Sequence, residues 1–124
     1  MDRQSLTNLI HETLASYHHV PPPFGSTIGT PWSTEKMYRY VEKLKSALIE
    51  PYLQRFELRE TYEQARVSEP SYAEYWVVAE GDGGYLEWYD SVTGEFGLGI
   101  RQEGSAVPVA IGERGDLVGV FCAM

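Results

Sequence analysis

Cysteine is almost missing from this chain. Cys122 stands alone among 124 residues, so no internal disulfide forms and a small secreted scaffold stapled by bridges is excluded. Long apolar runs are missing as well. The longest, Leu117 to Met124, falls far short of the roughly 20 residues that a membrane helix needs. The opening MDRQSLTNLIHETLAS lacks the basic segment, apolar stretch and small-residue cleavage site of a signal peptide. The expectation is a cytoplasmic protein with no membrane span. Basic residues are the third scarcity: Lys and Arg number 10 against 18 Asp and Glu, a formal charge of -8. Nucleic-acid binding draws its affinity from clustered Lys and Arg, so no nucleic-acid partner is expected.

Apolar and aromatic side chains are present in quantity, 43% and 13% of the chain, which excludes a disordered acidic tail. A chain of this length buries roughly two-thirds of its unfolded surface, enough for one core. Residues 1–124 therefore read as a single α+β domain. Leu6, Leu9, Ile10, Thr13, Leu14 and Tyr17 recur at helical spacing, with Ser5 as the expected N-cap. From His18 to Trp32, prolines and glycines interrupt any helix or ladder and predict a loop. A second helix starts at Thr30 or Ser33 and aligns Met37, Tyr40, Val41, Leu44 and Leu48, ending near Glu50 because Pro51 cannot sit in its interior.

Beyond Pro51 the period shortens toward two. Residues 55–62 predict a strand, with a continuing helix across 52–62 as the alternative. Residues 74–80 and 85–90, joined by Gly81-Asp82-Gly83-Gly84, predict a hairpin, and 95–102 extend it to a meander. An apolar piece from Val107 to Ile111 and a last strand from Leu117 to Ala123 complete the count. Helices followed by strands predict α+β, with two N-terminal amphipathic helices packed on one face of a mostly antiparallel sheet of four to six strands.

The negative charge is not spread evenly. Residues 1–30 have a net charge of -1, residues 31–66 of +1, and residues 67–124 of -8. No basic residue lies between Arg66 and Arg101, an interval holding Glu69, Glu74, Glu80, Asp82, Glu87, Asp90 and Glu95 among tyrosines and tryptophans. Strand alternation sets Leu86 and Trp88 on one face and Tyr85, Glu87 and Tyr89 on the other. The same rule separates Phe96, Leu98 and Ile100 from Gly97, Gly99 and Arg101. If both apolar sets face the core, an acidic, tyrosine-rich sheet face looks outward. Its candidate partner-binding residues are Asp82, Tyr85, Glu87, Tyr89, Asp90 and Glu95, and its field would steer a basic protein toward it. The same composition is also what an exposed, soluble strand face looks like.

Catalytic and metal patterns are thin. His18 and His19 are neighbours whose side chains diverge, and Cys122 sits in an apolar context without a cation to lower its pKa. The glycines from Gly94 to Gly99 run through a strand and do not open a helix, so they are no phosphate-binding loop. Asp82, Glu87 and Asp90 are candidates for acid/base work only if they converge. No metal and no cofactor are expected. The segment GDGGYLEWYDSVTGEFG, residues 81–97, loosely resembles strand-turn-strand segments of SMI1/KNR4-type toxin-immunity proteins; separately, an acidic, aromatic face is what a small protein that neutralises a cationic toxin would present. The leading expectation is thus a non-catalytic, cytoplasmic module that binds a basic protein. The alternatives are a small-molecule site or enzyme pocket under the loop from His18 to Trp32, and a homo-oligomer formed through the sheet face.

Overall fold

The structure, a computed structural model, describes residues 1–18, 33–59 and 69–123. Asp2, not Ser5, starts the first helix, because its carboxylate accepts the Ser5 amide at 2.8 Å. This helix, α1 (Arg3–Ala15), buries Leu6 and Ile10 and half-covers Leu9 and Leu14. Ser33 caps α2 (Thr34–Ala47) by accepting the Lys36 amide at 3.1 Å. Val41 and Leu44 form its buried stripe, and Met37 and Tyr40 flank them.

Helix α2 stops at Ala47, short of the expected Glu50, because Leu48 already has an extended backbone and leads straight into β1 (Leu48–Arg59). Pro51 lies inside that strand. It sits where the pairing register with the next strand breaks between Leu48 and Tyr52, a place where a missing N–H costs the ladder nothing. Its carbonyl accepts from Arg3 Nε at 2.7 Å, tying α1 to the strand. The strand therefore starts earlier than the sequence predicts, and residues 60–62 of the expected element lie outside the described residues.

Strands β2 (Tyr72–Glu80), β3 (Tyr85–Asp90) and β4 (Glu95–Ile100) form the expected meander, and β5 (Val109–Gly115) follows. The class is α+β, but the sheet is mixed where a mostly antiparallel one was expected, and it closes into a barrel in the order β1-β2-β3-β4-β5. Neighbours from β1 to β5 run antiparallel, while Glu57, Leu58 and Arg59 pair in parallel with Val109, Ala110 and Ile111. Parity explains this: in a barrel of five alternating strands the first and last must point the same way. Closure also removes both sheet edges.

The expected last strand is instead a helix, α3 (Leu117–Cys122). The Asp116 carboxylate caps it by accepting the Gly119 amide at 3.1 Å, and Leu117, Val118, Val120 and Phe121 are buried at helical spacing. Two apolar layers result. Phe56, Tyr75, Val77, Leu86, Trp88 and Ala110 fill the barrel, with Tyr75 and Trp88 stacked at 4.1 Å. Outside it, the three helices lie over Val78, Tyr89, Phe96 and Leu98.

Candidate functional site

The residues expected to share one exposed face go to three different places. Glu87 and Tyr89 do point away from Leu86 and Trp88, as alternation requires. That outer face, however, is covered by helices: Glu87 is 0% exposed and Tyr89 6%, the Tyr89 ring lying 4.8 Å from that of Phe96. The cross-strand register decides the matter. Glu87 pairs with Leu98 and Tyr89 with Phe96, while Trp88 pairs with Gly97 and Leu86 with Gly99. The apolar residues of β4 therefore share a face with Glu87 and Tyr89, not with Trp88. The glycines expected to leave an outward face bare point into the barrel instead, under the rings of Trp88 and Phe56.

Asp90 and Glu95 meet at one end of the barrel, around Arg114. Asp90, only 9% exposed, accepts from Arg114 Nη1 at 3.3 Å and from the Val92 amide at 2.9 Å; Glu95 accepts from the same Nη1 at 3.3 Å. Arg114 Nη2 donates to the Tyr75 hydroxyl at 2.9 Å, and the guanidinium lies 4.8 Å from the Trp88 ring centroid. This cluster plugs the barrel end, and its carboxylates are already engaged.

Glu87 is the chemical oddity of the fold. Neither of its carboxyl oxygens has a hydrogen-bond partner among the described residues. Burial, reinforced by the negative charge of Asp116, holds this carboxyl well above the usual carboxylate range. Cys122 is half-buried nearby; burial first, then Asp116 and Glu87, push its thiol up, while Lys36 opposes them. That environment disfavours a thiolate. Tyr17, which edges onto Tyr38 at 6.1 Å, is raised by its own burial and then by Cys122, Asp116 and Tyr38.

Asp82 and Tyr85 are brought together, and they open onto a surface groove. It is a concavity of about 830 Å³ between α2, the β2–β3 turn and α3. The turn is a short 3-10 segment (Asp82–Gly84) in which Gly83 and Gly84 have φ of 71° and 81°, a conformation that needs glycine. It is held by hydrogen bonds from the Gly81 amide to the Tyr85 carbonyl and from the Arg101 amide to the Gly84 carbonyl, both 2.9 Å. Tyr40, Tyr85 and Phe121 give the groove its aromatic surface. Arg39 and Lys43, one turn apart on α2, line it together with Glu42 of the same helix and with Glu80 and Asp82 from the sheet side. Glu80 is engaged by Arg101 Nη2 at 3.0 Å and by the Tyr52 hydroxyl at 3.2 Å, whereas Asp82 and Arg39 form no ion pair among the described residues.

No protein-family model, curated protein or solved structure matches this chain. Arg39, Tyr40 and Lys43 were legible only as helix residues, and nothing in the sequence announced that the Asp82–Gly84 turn would face them. Phe121 was missed because its segment reads as a strand. No helix of the described residues is long and apolar enough to cross a membrane, and no group of His, Cys, Asp and Glu among them is arranged to hold a metal. The expected pocket under the loop from His18 to Trp32 falls almost entirely outside the described residues.

Proposed function

We propose that this protein is a non-catalytic binding module that captures a basic protein partner, and that the capture site is the groove between α2 and the β2–β3 turn. The observation that carries this reading is the convergence of Tyr40, Tyr85 and Phe121 in one groove, with Arg39, Glu42 and Lys43 on its helical side and Glu80 and Asp82 on its sheet side. Aromatic side chains give large contact area at low entropic cost, and a charged rim fixes orientation. The excess of -8 in residues 67–124 supplies a field that draws in a cationic partner. Inside the groove, a basic side chain of the partner meets Asp82, an apolar or aromatic one lies against Tyr85 and Phe121, and an acidic or carbonyl group meets Arg39 and Lys43. Neutralisation of a cationic toxin in the cytoplasm is one specific form of this reading, in which carboxylates and aromatic rings occupy the surface where such a toxin binds phosphate and base.

The test is capture on the immobilised protein at low and high salt, using wild type, Asp82→Lys and Tyr85→Ala in parallel. A basic protein retained by wild type at low salt, weakened by salt and lost from both variants supports the reading. Equal retention by all three overturns it.

A further inference from the structure

The helices cover only part of the barrel's outer wall. Phe56 and Leu58 of β1 and Tyr75 and Val77 of β2 pack inside the barrel. Alternation therefore turns Leu53, Arg55, Glu57 and Arg59 outward on β1, and Tyr72, Glu74 and Trp76 outward on β2. The helical layer buries Val78 and half-covers Trp76. Past Trp76 the wall is open: Arg55 and Glu74 are exposed, Leu53 is 49% exposed and Tyr72 43%. Two large apolar side chains thus share one open patch. The patch also departs from the charge of the chain, because its two arginines balance its two glutamates while the whole chain has a net charge of -8. A second copy approaching here meets no field of its own sign.

We propose that this patch is a self-complementary face through which two copies of the chain pair. Arg55 and Glu74 are direct cross-strand partners, yet they form no ion pair with each other or with any other described residue. The Arg55 guanidinium instead lies 4.0 Å from the Tyr72 ring centroid. Stacking uses the flat face of a guanidinium and leaves the N–H donors at its edge free for a carboxylate. Glu57, the other acid of the patch, is already engaged by Arg59 at 3.2 Å and by Gln102 at 3.3 Å. A two-fold axis parallel to the strands, midway between β1 and β2, lays each residue over its register partner in the other copy. The register pairs Leu53 with Trp76 and Arg55 with Glu74. The axis therefore sets Leu53 of each copy against Trp76 of the other, and Arg55 of each against Glu74 of the other. A symmetric dimer needs a patch complementary to itself, and this register supplies one. The patch is small, so the dimer is weak and concentration-dependent. No residue of the groove takes part, and the pairing does not rest on the capture reading.

The test is sedimentation equilibrium at low salt over a concentration series, with wild type, Arg55→Glu, Glu74→Arg and the variant carrying both changes. Wild type and the double variant are expected to rise toward twice the 14.0 kDa of the chain. Each single variant sets like charges against each other at both contacts and should dissociate at least tenfold more readily. An equimolar mixture of the two single variants restores opposite charges at both contacts and should recover the dimer, which also shows that both variants are folded. Wild type that stays monomeric throughout, single variants that pair as well as wild type, or a mixture that stays monomeric each overturns the proposal. None of these readouts involves a basic partner, so a silent groove leaves the pairing tested, and a monomeric chain leaves the groove reading in place.

Discussion

A Cβ placed on Gly97 would stand 2.1 Å from Cζ2 of Trp88. The indole, fully buried and donating from Nε1 to the Leu98 carbonyl at 2.7 Å, occupies the volume that any side chain at residue 97 would need. Gly99 stands in the same relation to Phe56, at 2.7 Å. The two glycines are the mould of the barrel interior.

Gly97→Ala is therefore expected to destabilise the fold by about 3 kcal/mol, the upper end of overpacking costs. The check is urea denaturation followed by tryptophan fluorescence. A loss below about 1 kcal/mol would mean that Trp88 has somewhere else to go.

These glycines also show where the sequence stopped being legible. Alternation correctly separated Leu86 and Trp88 from Glu87 and Tyr89 within β3. It could not say which face of β4 joins which face of β3, because a one-residue change of register swaps the faces, and the four residues from Ser91 to Gly94 set that register with Asp90 opposite Glu95. The outer face then vanished under helices that alternation does not see. Leu117 to Ala123 reads as a strand by its β-branched and aromatic content, yet Asp116 as a cap and the i, i+3, i+4 spacing of Leu117, Val120 and Phe121 were sufficient to indicate a helix. The α1 and α2 stripes, by contrast, were legible because their apolar spacing has a single interpretation. Of the expected site, Asp82 and Tyr85 stand together at a surface groove, and the other four residues serve the interior or the barrel end.

Glu87 gives a signed pH dependence. Its folded-state pKa is raised above the ordinary 4.5, so its contribution to stability is fully present below that pH and is lost as pH rises through the raised value. Glu87→Gln has no such loss. In chemical denaturation, the stability of wild type relative to Glu87→Gln is expected to fall by about 1.4 kcal/mol per pH unit between the unfolded and folded pKa values. Parallel pH profiles for the two proteins would show that Glu87 is ionised in the folded state.

Replacement of the same residue by an apolar one of similar shape has its own outcome. Glu87→Met removes two unpartnered oxygens from an apolar layer and is expected to leave stability unchanged or to raise it by about 1 kcal/mol at neutral pH. Thermal unfolding measures it. Strong destabilisation would imply a hydrogen bond to Glu87 that the described residues do not provide.

Arg114 predicts the opposite response to substitution. Its guanidinium bonds Asp90, Glu95 and Tyr75 while lying over Trp88, a combination of fork and plane that lysine lacks. Arg114→Lys is expected to cost about 2 kcal/mol, a loss typical of charge-assisted hydrogen bonds in a partly buried setting. Denaturation curves for Arg114→Lys and Arg114→Ala check this. Full stability in the lysine variant would mean that a point charge is all the barrel end requires.

The proposed recognition site is the groove and not the barrel wall. The most direct measurement is chemical-shift mapping of the labelled protein, titrated with the basic partner obtained by Tyr85-dependent capture. The largest shifts are expected on Arg39, Tyr40, Asp82, Tyr85 and Phe121. Shifts concentrated instead on Leu53, Arg55 and Tyr72 of the exposed β1–β2 surface, with the groove residues unmoved, would contradict it.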